Sequence, residues 1–355
     1  MTTTVLTTAT QPVIVAGIDA HKDTHHAVVL DDKGLRIADQ EFAATTPGYR
    51  DLLDWLTHFG LLDRVGIEST GSYAAGLTRH LLDAGIDVVE VNTPHPHTRA
   101  RKGKDDAIDA EAAARKVLAG EATAKPKTTT GVVESIRLLS LTRNSAVKAR
   151  SAALTQLQNA LITAPARVRE HITARGGRGK ASQCARLRPD TARLDDPVQA
   201  ARMALRTLAR RVHDLDEEIT AVQTQLDRLV ARTAPTLVSR VGIGTGHAAQ
   251  LLVTAGQNVD RLGSEAGLAR LCGVAPVPVS SGKSRRMRLH RGGDRQANRA
   301  LHMIAVCRLR YDQRTIDYMH RRSAEGLSKK DVLRCLKRFI AREVFHDLRT
   351  DLDLT

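Results

Sequence analysis

Aromatic residues are scarce in this 355-residue chain: four Phe, four Tyr and one Trp. Domains that stack bases on aromatic platforms need more rings than this, so a polyanion partner is expected to be held mainly through its charged backbone. Cysteine is equally sparse. Cys184, Cys272, Cys307 and Cys335 lie far apart, with no CxxC pair and no zinc-finger spacing, which fits free thiols in a reducing cytoplasm. No apolar run approaches the ~20 residues of a membrane span, and the N-terminal MTTTVLTTATQPV lacks a basic segment leading into an apolar one. Neither a membrane anchor nor a secretory signal is expected. Acids are in deficit: 39 Asp and Glu against 54 Lys and Arg leave a formal charge of +15. A chain this basic is expected to partner nucleic acid. Its 42% hydrophobic content argues against global disorder, and its length predicts two or three domains.

Three zones separate by pattern. Residues 13–131 alternate strand and helix signals. The apolar run 13–18 and the β-branched stretch 24–30 are followed by a turn at Asp31-Asp32-Lys33-Gly34 and by Leu35-Arg36-Ile37, which predicts a hairpin. Residues 64–67 and 88–91 read as further strands, with a helix over 74–84 stopped by Gly85. This is α/β architecture. Residues 132–232 read as a helical coiled-coil region. Leu205, Leu208, Val212, Leu215, Ile219, Val222, Leu226 and Leu229 recur at alternating spacings of three and four. Leu154, Leu157 and Leu161 could supply the partner helix. A hairpin closed within the chain and an oligomerisation arm stand equally open. Residues 233–348 are expected to form a basic helical domain: 280–349 carry 19 Lys and Arg against 7 Asp and Glu. The fold class is thus α/β plus all-α.

Two carboxylates end predicted strands: Asp19 in Gly17-Ile18-Asp19 and Glu68 in Gly66-Ile67-Glu68. That edge is where open α/β sheets bind ligands. Lys104-Asp105-Asp106-Ala107-Ile108-Asp109 then leads into an Ala-rich helix, on which Asp106 and Asp109 share a face. Acids from three elements meeting at one edge would give an oxygen-only donor set for Mg²⁺ or Mn²⁺, suited to phosphoryl displacement. Taken alone, Asp105 or Asp106 could simply cap the helix. His21, His25, His26, His95 and His97 match no zinc spacing and read as polar surface residues.

In the basic zone, Gly242, Gly244 and Gly246 suggest a helix–hairpin–helix turn whose next helix offers backbone N–H groups to a phosphate. Downstream stand Ser280-Ser281-Gly282-Lys283-Ser284-Arg285-Arg286 and Arg291-Gly292-Gly293-Asp294-Arg295. A serine beside glycine among cations suits a nucleophile whose developing charge is neutralised, or equally a phosphate-binding loop. Lys104, Lys283, Arg285, Arg286, Arg291 and Arg295, with the three glycines, are the expected nucleic-acid contacts. An actin-like ATPase would share the Gly-Ile-Asp opening, but it needs a second phosphate loop with an Asp near mid-chain, and the sequence has none.

Together, from about residue 13 to 345, these motifs resemble the DEDD insertion-sequence transposases of the bridge-RNA-guided type, the insertion sequence one-ten group. The resemblance implies a RuvC-like, ribonuclease-H-type N-terminal domain over 13–131 with an Asp-Glu-Asp-Asp metal tetrad. The tetrad falls on Asp19; on Glu68, in Glu68-Ser69-Thr70-Gly71-Ser72-Tyr73; and on Asp106 and Asp109, with Asp105 where the family often has Thr. It further implies a serine in the C-terminal domain that attacks DNA, best placed at Ser281 with Ser280 adjacent. The implied activity is RNA-guided, site-specific recombination through a serine–DNA phosphodiester. The implied partners are donor and target DNA, a guide RNA from the element's flank, and further copies of the chain as dimers pairing into tetramers, in the bacterial cytoplasm at the nucleoid. Two alternatives are a RuvC-like structure-specific nuclease or Holliday-junction resolvase without serine chemistry, and a non-enzymatic nucleic-acid-binding protein.

Overall fold

The computed structural model describes residues 11–91, 105–281, 284–290 and 292–353, so Lys104, Lys283, Arg291, His95 and His97 lie outside the described residues. The chain divides into two compact units. One runs to Gly131 and includes Ala255–Ser264; the other comprises Val132–Thr254 and Glu265 onward.

The first unit is a five-stranded sheet with helices on both faces. Its strands are β1 (Val13–Ala20), β2 (Thr24–Asp31), β3 (Arg36–Ala43), β4 (Leu61–Glu68) and β5 (Val88–Val91). The order is β3-β2-β1-β4-β5; β1 to β3 are antiparallel neighbours, and β4 and β5 run parallel to β1. Gly34, at φ +82°, closes the predicted β2–β3 turn, where the Asp31 carboxylate accepts from the Lys33 and Leu35 N–H groups. Alternation on β1 sends Ile14, Ala16 and Ile18 to one face, against α1 (Thr46–His58) and α2 (Ala75–Asp83). Val15 faces the other way, against α3 (Asp106–Leu118). This mixed order, covered on both faces, is consistent with a ribonuclease-H-like DEDD domain. Ala255–Ser264 joins the unit through Asn258, whose side chain accepts from the Thr128 N–H at 3.1 Å and donates to the Pro126 carbonyl at 3.0 Å.

In the second unit, α4 (Gly131–Thr163) and α7 (Pro197–Thr233) form an antiparallel hairpin with the short α5 (Ala166–Arg169) and α6 (Gly177–Ala185) between them. Arg143 donates to Gln223 at 3.0 Å and Arg150 to Asp216 at 2.6 Å, so seven residues along one helix match seven back along the other. Beyond these pairs Leu157 and Leu161 pack with Leu205, Ala209 and Val212, walled by Ala181 and Cys184. The upper part of the predicted seam is therefore closed by the chain's own helix. Leu215, Ile219, Val222 and Leu229 remain half-buried.

The rest of this unit is α8 (Pro235–Val238), α9 (Thr245–Ala255), α10 (Glu265–Leu271), β6 (Pro276–Ser281), β7 (Ser284–Leu289), α11 (Arg295–Tyr311), α12 (Gln313–Ala324) and α13 (Lys329–Asp353). The expectation of a wholly helical C-terminal domain is corrected: β6 and β7 pair as an antiparallel ribbon from Pro276↔Leu289 to Ser281↔Ser284. Pro276 and Pro278 cannot donate within a helix, and Val277 and Val279 favour extended backbone, which suits a two-stranded edge. The ribbon's root is clasped. The Asn298 side chain donates to the Cys272 and Gly273 carbonyls at 3.0 and 2.9 Å, and accepts from Lys337 Nζ at 2.9 Å. Burial pushes the Lys337 ammonium pKa down.

Candidate active site

The site follows from two glycines. β1 and β4 pair with Gly17 opposite Gly66 and Ile18 opposite Ile67. Strand alternation puts Gly17 and Asp19, and likewise Gly66 and Glu68, on the face that α3 covers. A Cβ at Gly17 would stand 2.1 Å from the Ala110 carbonyl oxygen and 2.3 Å from the Ala114 nitrogen. One at Gly66 would stand 2.5 Å from Val117 Cγ2. The alanine-rich helix thus lies almost on the sheet backbone. Residues four apart on a helix share a row. Asp106 heads the row Ala110–Ala114 above Gly17, and Asp109 heads the row Ala113–Val117 above Gly66. One turn back along each row brings Asp106 toward Asp19 and Asp109 toward Glu68.

Asp105 and Asp106 divide their duties. Asp105, in extended conformation, is the N-cap, its carboxylate accepting from the Ala107 N–H at 3.1 Å. Asp106 is the first helical residue and faces the cluster. Both Asp106 and Asp109 also suit the positive end of the helix dipole. β4 ends abruptly after Glu68 because Ser69 adopts φ +61° and its carbonyl accepts from the Ser72 N–H at 3.0 Å. A non-glycine residue there carries a cost of order 1 kcal/mol or more, borne next to an acid of the cluster.

The electrostatics register the convergence. Burial raises the Asp19 carboxyl pKa, and the charges of Asp106, Asp109 and Glu68 raise it further, while His21 opposes them. His21, expected among the surface histidines, is partly exposed but stands beside the acids. Its N–H donates to the Thr24 carbonyl at 2.9 Å, so the chain reverses just beyond Asp19. The ring then stands with Nδ1 3.6 Å from Asp106 Oδ2 and Nε2 4.0 Å from Asp19 Oδ2. One donor atom from each of Asp19, His21 and Asp106 fits within 4.8 Å. No local pattern in the sequence marks His21, because its place depends on the turn closed by Thr24. His25 corrects the surface expectation; it is fully buried, stacked on Tyr49 at 5.7 Å. His26 bonds Asp39 at 2.9 Å. Asp19 and Asp106 have no Lys or Arg ion-pair partner among the described residues. The Asp19 and Asp106 carboxylates beside an imidazole are a donor set that fits a divalent ion.

In the second unit, Ser281 ends β6 opposite Ser284, and Arg285 and Arg286 stand opposite Ser280 and Val279. Arg295 opens α11, exposed, beside Asp294, which caps the helix by accepting from the Gln296 and Ala297 N–H groups. Gly242, at φ +83°, is demanded by the fold, since its Cβ position lies 3.3 Å from Cys307 Cβ and the Ile304 carbonyl. Gly244, just before α9, and Gly246, in its first turn, face open space. Part of the local positive charge is committed internally: Arg240 pairs with Asp347 at 2.7 Å, Arg308 with Glu343 at 2.6 Å, and Arg342 with Glu265 at 2.8 Å.

Residues 16–164, which contain all four carboxylates, match the DEDD transposase domain of IS110 elements. Residues 234–320 match the transposase domain of the IS116/IS110/IS902 family. The chain is 25% identical to the "Insertion element IS900 uncharacterized 42 kDa protein" of Mycobacterium paratuberculosis, over 88% of this chain and 89% of that protein. It is 32% identical to the "Insertion element IS110 uncharacterized 43.6 kDa protein" of Streptomyces coelicolor, over 40% of this chain and 36% of that protein. The protein is a DNA transposase. Both matched domains are those of the IS110 family of insertion elements.

Proposed function

We propose that this transposase cuts and rejoins DNA with a divalent ion, Mg²⁺ or Mn²⁺, held by Asp19, Glu68, Asp106 and Asp109, and with Ser281 as the group that takes the cut strand. The observation that carries the first part is the meeting of acids from β1, β4 and α3 at one sheet edge, set by Gly17 and Gly66. A bound ion would supply Lewis acidity to the oxygens of the scissile phosphate. The serine step is supported by the position of Ser281 at the end of an arginine-bearing ribbon. Its hydroxyl oxygen bonds to phosphorus as a deoxyribose oxygen leaves with the proton; attack by a new deoxyribose hydroxyl reverses the step and rejoins the strand. Lys283, Arg285, Arg286, Arg291 and Arg295 would neutralise the phosphate, and Lys104 and the Gly242–Gly246 turn would hold DNA or RNA backbone.

Guidance by an RNA from the element's flank rests on the family resemblance and the +15 charge. Assembly into dimers and tetramers rests on the same resemblance and on the half-buried Leu215, Ile219 and Val222. A location in the bacterial cytoplasm at the nucleoid is the reading that a DNA substrate supports. Among the described residues no helix is long and apolar enough to cross a membrane.

The test uses DNA carrying the element's ends, with Asp19→Asn, Ser281→Ala and Ser280→Ala. Asp19→Asn is expected to abolish cleavage. Ser281→Ala is expected to abolish the denaturant-resistant protein–DNA adduct, whereas loss of one neutral phosphate hydrogen bond costs only about 1–1.5 kcal/mol, roughly tenfold. Cleavage by Ser281→Ala at the wild-type rate, with no adduct in either protein, would make the enzyme a metal-dependent nuclease instead. An adduct lost only in Ser280→Ala would move the nucleophile to Ser280.

A further inference from the structure

We infer that His21 is a nitrogen ligand of the ion held at Asp19 and Asp106, so that the site favours Mn²⁺ over Mg²⁺. This rests on the divalent-ion site proposed above. The ring nitrogens lie 3.6 and 4.0 Å from the nearest carboxylate oxygens, beyond hydrogen-bonding range. The imidazole is therefore held by neither acid, though it stands between them. Ligands of an octahedral ion at about 2.1 Å lie about 3 Å apart when adjacent and about 4.2 Å when opposite. The two contacts involve different ring nitrogens, of which one ion takes one. A single ring nitrogen with one oxygen from each acid lies within 4.8 Å, close to the outer limit of that interval, so small side-chain rotations bring all three donors onto one ion.

The three groups are placed independently of one another. Asp19 is fixed by β1, His21 by its turn to Thr24, and Asp106 by the seating of α3 on Gly17. The His21 and Asp106 side chains are 40% and 41% exposed, which leaves the remaining positions around an ion open to water and phosphate oxygens. Neither neighbouring histidine can substitute: His25 is buried against Tyr49, and His26 is bonded to Asp39. An all-oxygen set suits Mg²⁺, and one imidazole shifts preference toward Mn²⁺ and later metals. The competing role for His21 is an imidazolium counter-charge with no bond to metal.

The test titrates the full-length protein with Mn²⁺ and, separately, Mg²⁺, by calorimetry, and records pulsed electron paramagnetic resonance of the Mn²⁺ complex. The wild type is expected to bind Mn²⁺ more tightly and to show ¹⁴N coupling from a directly bound imidazole. His21→Ala is expected to lose the coupling and to weaken Mn²⁺ binding by about tenfold or more, with Mg²⁺ binding changed by less than about threefold. Mn²⁺ binding that needs Asp19 but shows no ¹⁴N coupling and survives His21→Ala would overturn the inference and leave the acidic site standing. Equal tightening of both ions in His21→Ala would also overturn it. Mn²⁺ binding unchanged in Asp19→Asn as well, with no ¹⁴N coupling in the wild type, would overturn the acidic site itself.

Discussion

Asp19 and His25 sit on adjacent strands, and burial acts on both, with opposite consequences for pH. His25 faces the core under α1 and α2, where burial pushes its pKa below the ordinary 6.5. The unfolded chain takes up that proton near 6.5 while the folded chain does not, so stability is full above that pH and is lost as pH falls toward the depressed folded value. Thermal melts between about pH 7.5 and 5.5 should show the loss, and His25→Leu should flatten it. Asp19 shows the reverse: its pKa is raised above 3.8, so the ionised form costs stability once pH exceeds the folded value. A metal-free Asp19→Asn variant should melt at an equal or higher temperature than wild type at neutral pH. At this scale Asp19, Glu68, Asp106 and Asp109 could be proposed from local pattern, a strand end or a helix start. His21 could not, because its place depends on a turn closed by Thr24.

The element that decides the site is α3, and the close approach at Gly17 is its seat. Gly17→Ala would drive a methyl into the helix backbone, which cannot yield as a flexible side chain would. The expected cost is about 1–3 kcal/mol in chemical denaturation, together with weaker divalent-ion binding as Asp106 is lifted from Asp19. Gly244→Ala, which faces open space, should change stability little and serves as the control. The strands of the first unit could be read from their short apolar and β-branched runs and α7 from its seam of spacings three and four, but that α7 pairs with α4 of the same chain could not, since the seam does not name its partner. The β6–β7 ribbon could not, because proline, valine and arginine alternate there in a stretch that reads as loop. Nor could α1: its start at Thr45, Pro47 and Gly48 looks like a turn until the Thr45 cap to the Gly48 N–H is seen.

Across the whole molecule the surplus of +15 divides into charge that holds protein and charge that can hold nucleic acid. Arg308, 10% exposed and paired with Glu343, belongs to the first kind; exposed Arg295 is free to belong to the second. Arg308→Ala should lower stability by about 1–3 kcal/mol, because the Val241 carbonyl and Glu343 lose a largely buried donor, while Arg240 remains 3.7 Å from Glu343. Arg295→Ala should leave the melting temperature unchanged and reduce the slope of log affinity for DNA against log salt by about one. Thermal and chemical denaturation check the stabilities, and filter binding or fluorescence anisotropy across a salt series checks the slope. The sign of the net charge was legible from composition, but this division was not, since it depends on which helices from distant parts of the chain come to face each other.

Asn258 has a consequence for how such genes can change. The sheet unit borrows ten residues, Ala255–Ser264, from far down the chain, and Asn258 ties them to Pro126 and Thr128. Crossovers that exchanged only the front half of the gene between related elements would pair a new sheet with a foreign strap. The two halves are therefore constrained to be inherited together, and a chimaera made by grafting the sheet unit must carry its strap with it.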